Sequence, residues 1–270
     1  MALTKVTSGV RTLGTGEVVT ANIADDDVTL AKLEDGTQGD ILYYGASGAP
    51  ARLGFGTSGD FLKTQGTGAN PIWAAAGGGG FNSIQVFTSG GTWTRPSDIT
   101  KVIVEVQGAG GGGGGGGGAD QGCGAGAGAY AKKFIDVTSV ATSTIAVGTA
   151  GAAGSSGGGT GGTGGDSSWD DTGSGGSSTV TGTGGRAGTG GVGGPGALVT
   201  ASGGDINISG QGGSFRVGGG KGASSMMGVG GTSNNGATDS VGYGAGGCGA
   251  NASAAGKIGM PGIVIVWEYK

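Results

Sequence analysis

The sequence predicts an all-β fold. An N-terminal segment of paired-strand repeats leads into a small β-sandwich domain that carries a packed glycine-rich layer of polyglycine II type. Three observations point there. Short apolar runs with near-period-two alternation recur along the chain. The strongest two are Val102-Ile103-Val104-Glu105-Val106 and the terminal Ile263-Val264-Ile265-Val266-Trp267-Glu268-Tyr269. Between them lies most of the glycine, 75 residues of 270 in the whole chain, opening with nine in succession at 110–118. A linker has no reason to be closed at its far end by the most hydrophobic strand in the protein.

Glycine loses the most conformational freedom on ordering and offers no side chain to pack. A glycine tract therefore folds only where something else holds it. Collagen is excluded, because there is no strict three-residue sequence period and the chain has only five prolines. The left-handed threefold helix of polyproline is open to polyglycine and has no internal hydrogen bonds. Helices without side chains approach closely and bond laterally, which answers where their N–H and C=O groups go.

The elements follow in order. Residues 1–35 are polar, with an acidic triplet at Asp25-Asp26-Asp27, and the stretch 23–33 carries the charge asymmetry of a short helix. Residues 36–80 hold a weak repeat: Gly39-Asp40-Ile41-Leu42 recurs as Gly59-Asp60-Phe61-Leu62, a spacing of 59 − 39 = 20 residues. Each copy reads as two short strands around a turn. A unit this short cannot bury its own apolar face and needs neighbours. With two copies, association of chains into a fibre shaft is the better solution, with 74–80 as a hinge. Residues 81–270 form the second domain. Strands are expected at 84–87, at 93, at 102–106, 130–137, 143–147, 205–208 and 263–269. Trp93, Phe134 and Trp267 are the expected core anchors, since large rings dominate a small core.

Composition narrows the function. Net charge is −4 with a pI near 4.7, and the longest basic run is Lys132-Lys133. Nucleic-acid binding needs clustered Lys and Arg, so no nucleic-acid partner is expected. The chain has no histidine, the commonest general base and metal ligand. No cofactor and no metal are expected. The N-terminus lacks the apolar segment of a signal peptide and no run approaches the ~20 residues of a membrane span, so synthesis in a cytosol is expected. Cys123 and Cys248 both sit in Gly-Cys-Gly-Ala. They read as small apolar residues of the glycine layer, or as a disulfide if their runs lie side by side.

Several motifs dissolve on inspection. Residues 108–113 match G-x-G-x-x-G after a strand, but further glycines replace the helix that a dinucleotide site requires. Gly161-Gly162-Thr163-Gly164-Gly165-Asp166 opens like a calcium-binding nonapeptide, but no tandem copy follows. Gly222 after Lys221 breaks the phosphate-loop order. The residues that interrupt the glycine carry more. Trp169, Asp170 and Asp171 form one island, Met226 and Met227 a second, and Asn234, Asn235 and Tyr243 a third. They either pack on a neighbouring strand or chain, or sit on end loops and contact a partner. Binding residues concentrate on loops of rigid scaffolds, and Trp, Tyr and Met suit contact surfaces. These eight are the candidate site, with no catalytic residues among them, and truncating Trp169 is expected to spare the fold.

Residues 21–33, from Ala21-Asn22-Ile23-Ala24-Asp25 to Val28-Thr29-Leu30-Ala31-Lys32-Leu33, resemble a segment common in phage tail-fibre proteins. The Gly-Asp-Ile-Leu-Tyr-Tyr and Gly-Asp-Phe-Leu-Lys-Thr units, ending in Pro71-Ile72-Trp73, are similar to those of marine-phage fibres. From Trp93 onward, the Pro, Val-rich strand, Gly-Ala-Gly tract and terminal Pro-Gly-Ile-Val-Ile-Val-Trp-Glu-Tyr resemble the glycine-rich C-terminal domain of such fibres. The tract is also similar to the polyglycine sandwich of T-even-type tail-tip adhesins. The resemblance covers nearly the whole chain. It implies an intertwined trimeric shaft, a virion-attachment segment at 1–35 bound to phage tail or baseplate proteins, shaft and hinge at 36–80, and a receptor-binding domain at 81–270. The implied homotrimer is located in the virion as a tail fibre, made in the host cytoplasm. Its partner is a bacterial surface receptor, an outer-membrane protein or polysaccharide. The family binds without catalysis, so no enzyme is expected. A purely structural virion fibre or decoration protein is the alternative. A depolymerase would have to rest on Asp170-Asp171, and adjacent residues are not held apart across a sugar.

Overall fold

The computed structural model describes residues 35–75, 79–191, 194–215, 218–232 and 239–270. The segment expected at 1–35 to attach to a virion, the helix expected at 23–33, and Asn234 and Asn235 lie outside these residues, apart from Asp35. The fold is almost wholly β, in several sheets. The chain divides into two units, 1–77 and 78–270.

In the first unit each sequence repeat is a hairpin. Strand β1 (Ile41–Tyr44) pairs antiparallel with β2 (Pro50–Leu53), and β3 (Asp60–Lys63) with β4 (Ile72–Ala75). The entrances are copies of one turn. The Asp40 carboxylate accepts from Thr37 N–H at 2.9 Å, and Asp60 from Thr57 at 2.8 Å. The intervening Gly39 and Gly59 sit at φ 96° and 95°, a region that favours glycine. The strands are only four residues long and leave Leu42, Tyr44, Phe61 and Leu62 exposed.

The second unit contains β5 (Phe81–Phe87), β6 (Gly91–Thr94), β7 (Lys101–Gln107), β8 (Tyr130–Asp136), β9 (Thr142–Ala146), β10 (Ser167–Asp170), β11 (Thr179–Gly182), β12 (Ala201–Ser202), β13 (Ile206–Ile208), β14 (Gly228–Val229), β15 (Val241–Gly242) and β16 (Ile263–Tyr269). Two five-stranded antiparallel sheets, ordered β12-β11-β10-β9-β6 and β13-β8-β7-β16-β5, close on one core. Alternation places Val102, Val104 and Val106 of β7 and Val264 and Val266 of β16 inward. The opposite sheet contributes Trp93, Ile145, Trp169 and Val180. The Trp93 and Trp169 rings lie 5.0 Å apart at 50°, a favoured aromatic geometry.

Glu268 fastens the two sheets together. It is buried on β16, and its Oε1 accepts from Trp93 Nε1 across the core at 2.7 Å and from Gln85 Nε2 at 2.7 Å. Its Oε2 accepts from Ser83 Oγ at 2.5 Å. A buried carboxylate is tolerated where several donors replace its water. Of the expected anchors, Trp93 lies in the core. Phe134 is 53% exposed and Trp267 lies half-buried on the outer face of its sheet. The strands present Ile135 and Val266 inward instead.

Between β7 and β8 the chain enters the glycine-rich region. Residues 108–116 are buried, and their backbone bonds run sideways. Gly110, Gly113 and Gly116 donate to the carbonyls of Met260, Lys257 and Ala254, at 2.8–2.9 Å. Gly111 and Gly114 donate to Gly126 and Cys123, and Gly112 and Gly115 to Gly162 and Gly159. The carbonyls follow the same rhythm: Gly110, Gly113 and Gly116 accept from Gly151, Gly154 and Gly157. Ala109 and Gly112 accept from Gly185 and Gly188, and Gly111 and Gly114 from Gly247 and Ala250. One run thus bonds to six others and returns to each neighbour every third residue. A Cβ at Gly110, Gly112, Gly113 or Gly116 would overlap the carbonyl oxygen of Ala245, Ala152, Cys248 or Ala252. The Cys123 and Cys248 runs do lie side by side, with Gly122 donating to Ala250 and Ala125 to Gly247. Both cysteines are buried thiols.

Candidate functional site

The site begins where the glycine-rich region turns outward. Ala223 N–H donates to Ala125 and Gly246 N–H to Ala223, both at 2.9 Å. After β14 the chain re-enters buried backbone, with Gly231 N–H donating to Gly246 and its carbonyl accepting from Gly222, so two short exposed segments, 224–229 and 241–243, are each tied to buried backbone. Beyond these ties β14 pairs with β15, with Gly228 opposite Gly242 and Val229 opposite Val241. Ser225 tightens the neck. Its hydroxyl accepts from Met227 N–H at 3.2 Å and donates to the Tyr243 carbonyl, while Tyr243 N–H donates to the Met227 carbonyl at 3.0 Å. Gly242, at φ 84°, lies against the Met227 backbone, where a Cβ would overlap the carbonyl.

The outer side of the pair is apolar and open. Met226 is 63% exposed, Val229 61% and Val241 59%. Beside Met226 lies a depression of about 120 Å³, walled by Tyr130, Ile208, Gln211 and Ser224. Its lining carries no charged side chain. Tyr130 is almost wholly buried, and that burial, reinforced by the charge of Glu105 and a hydrogen bond with it, raises the phenol well above its ordinary value. The group stays neutral. Glu105 in turn pairs with Lys132 at 3.1 Å. The arrangement offers apolar contact and neutral hydrogen-bonding groups.

The structure brings together Met226, Met227 and Tyr243 from the sequence-derived candidates. Two other residues are corrected. Trp169 and Asp171 are fully buried, not on an end loop. Ser167 and Trp169 alternate inward along β10, so the indole fills the core against Trp93, and its Nε1 donates to Asp171 Oδ2 at 3.1 Å. Asp171 also receives Ser178 N–H at 2.6 Å and works as the anchor of a turn. Asp170 faces away from the core and accepts from the Thr172 hydroxyl at 2.7 Å and its N–H at 3.0 Å. Those bonds hold its carboxyl below the usual range. Asp166 of the calcium-like motif accepts from Gly184 N–H at 2.8 Å. Sequence reasoning missed Val229 and Val241, whose two-residue strands are too short to show a period, and it placed Ile208 in a strand but not at the site.

No protein-family model matches the chain, and no curated protein matches it.

Proposed function

We propose that the chain is a phage tail-fibre protein that binds the host cell surface through the exposed β14–β15 pair around Met226, Met227 and Tyr243. The single observation that carries this reading is the contrast within that pair: exposed apolar side chains on short segments tied to buried backbone. Pre-organised contact groups lose little freedom on binding, and Met is an adaptable contact residue.

The finer architecture belongs to the same proposal. The glycine runs form a packed polyglycine II-type layer, a reading supported by the three-residue return of the lateral bonds and by the carbonyls that a Cβ would overlap at Gly110, Gly112, Gly113 and Gly116. The first unit forms an intertwined trimeric shaft, supported by hairpins too short to be independently stable. Purified protein is expected to bind susceptible cells and to block phage adsorption; no binding and no competition would refute the reading. A purely structural virion fibre is the second reading. It is favoured by the burial of Trp169, an aromatic that serves the core rather than a contact surface. An antibody that neutralises phage and maps only to residues 1–80 supports this alternative.

A further inference from the structure

The outer face of the β13-β8-β7-β16-β5 sheet is unusual for a surface that meets only water. Register aligns Ile84, Trp267, Ile103 and Phe134 in one row across four strands. Val86 and Ile265 form the start of the next row, with Ile206 at the far edge. Phe81 lies 6.1 Å from the Trp267 ring and 6.0 Å from that of Tyr269. Phe81, Ile84, Val86, Phe134 and Ile206 are 43–57% exposed. Antiparallel sheets with one solvated face normally alternate apolar inward and polar outward. Here both faces are apolar. Contiguous apolar patches beyond a few hundred Å² mark interaction sites.

We infer that this face is where copies of the chain meet, so that the glycine-rich units associate sheet to sheet around Trp267, Ile103 and Phe134. The inference rests on the oligomeric fibre proposed above and names its contact surface. Charge points to a second copy. The face's charged residues are of both signs and nearly balanced: Lys101 stands opposite Asp136, Glu105 pairs with Lys132 at 3.1 Å, and Asp205 at the edge accepts from Phe134 N–H. An acidic partner or an anionic lipid surface would find no net field of opposite sign, and a basic one only the single carboxylate of Asp205. A second identical face has the same balance and the same apolar rows. Shape agrees, because a depression of about 130 Å³ between Ile103, Phe134 and Ile206, rimmed by Lys132 and Asp205, offers a socket for an apolar side chain. Connectivity agrees as well. β4 ends at Ala75 and β5 begins at Phe81, on this face, so six peptide steps of at most about 3.6 Å each separate them. In copies joined through their first units each face is therefore tethered within roughly 20 Å of its own first unit, which keeps the faces at high effective concentration.

The test is the mass of the full chain by light scattering over a concentration series, for the wild type, Ile84→Lys, Phe134→Glu and, in the first unit, Tyr44→Asp. The inference expects an oligomer whose dissociation constant rises at least tenfold in each sheet-face variant, with the circular dichroism spectrum unchanged. An oligomer that ignores both sheet-face changes and yields only to Tyr44→Asp overturns the interface and leaves the fibre reading standing. A monomeric wild type overturns both. If the variants misfold, a photoreactive benzoylphenylalanine at position 134 decides: cross-links between copies support the interface, and cross-links confined within one chain overturn it. Adsorption competition, measured separately, tests host binding whatever the outcome here.

Discussion

At the scale of single residues, Gly112 and Trp169 show how differently two buried positions work. Gly112 has no side chain, and a Cβ there would meet the Ala152 carbonyl oxygen. The obstacle is backbone that is itself bonded on both sides, so it cannot yield cheaply. Gly112→Val is expected to abolish cooperative unfolding of the second unit in calorimetry; a normal transition would show that the tract is solvated. Trp169→Ala acts by loss rather than overlap. It removes a ring packed at a tilt against Trp93 and leaves Asp171 without the indole donor. Truncations of this kind lose about 3–5 kcal/mol, read as a shifted denaturant midpoint. Trp169 was not legible in the sequence because acids and glycines surround it, and a four-residue strand shows only two inward positions. Phe134 was misread for a related reason. It shares its phase with Lys132 while Ile135 shares its own with Lys133, so neither face of β8 reads as apolar.

At the scale of elements, β7 and β16 were legible because seven residues give three or four turns of the period-two pattern. β14 and β15 were not, because two residues have no period and their existence depends on the neck around Ser225. The neck allows a separation of functions. Val229→Asp alters a side chain that is 61% exposed. It is expected to leave the melting temperature within a degree or two and to weaken competition for phage adsorption, by about 2 kcal/mol if Val229 is a hot spot. A matching fall in stability would make the pair structural. β8 carries a pH dependence. Tyr130 is raised above its ordinary 10.0 by burial first and Glu105 second. The unfolded phenol therefore ionises before the folded one. The stability contribution is complete below about pH 10 and declines as pH climbs from there toward the higher folded value. Chemical denaturation between pH 8 and 11 is expected to show this decline in the wild type and a shallower one in Tyr130→Phe.

At the scale of the whole molecule, stability comes from two different materials. One is a conventional core of Val, Ile and paired Trp between two sheets. The other is backbone bonded to backbone, with alanine at 109, 125, 127 and 129 as its largest regular side chain apart from the thiols. Burial holds the Cys248 thiol above its ordinary value. Native protein is accordingly expected to resist alkylation at pH 8 and to react fully once unfolded. Prompt reaction of the native chain would show the glycine-rich region to be open. The lateral bonding also sets a rule for how such a chain can change length. Because each neighbour is met again after three residues, the runs possess something like a reading frame. Adding or deleting three residues in two adjoining runs advances both by one full turn and restores every bond. One or two residues rotate each later N–H and C=O toward the wrong neighbour. Variation in this region should therefore come in triplets of amino acids within the runs, and in any number at the turns that join them.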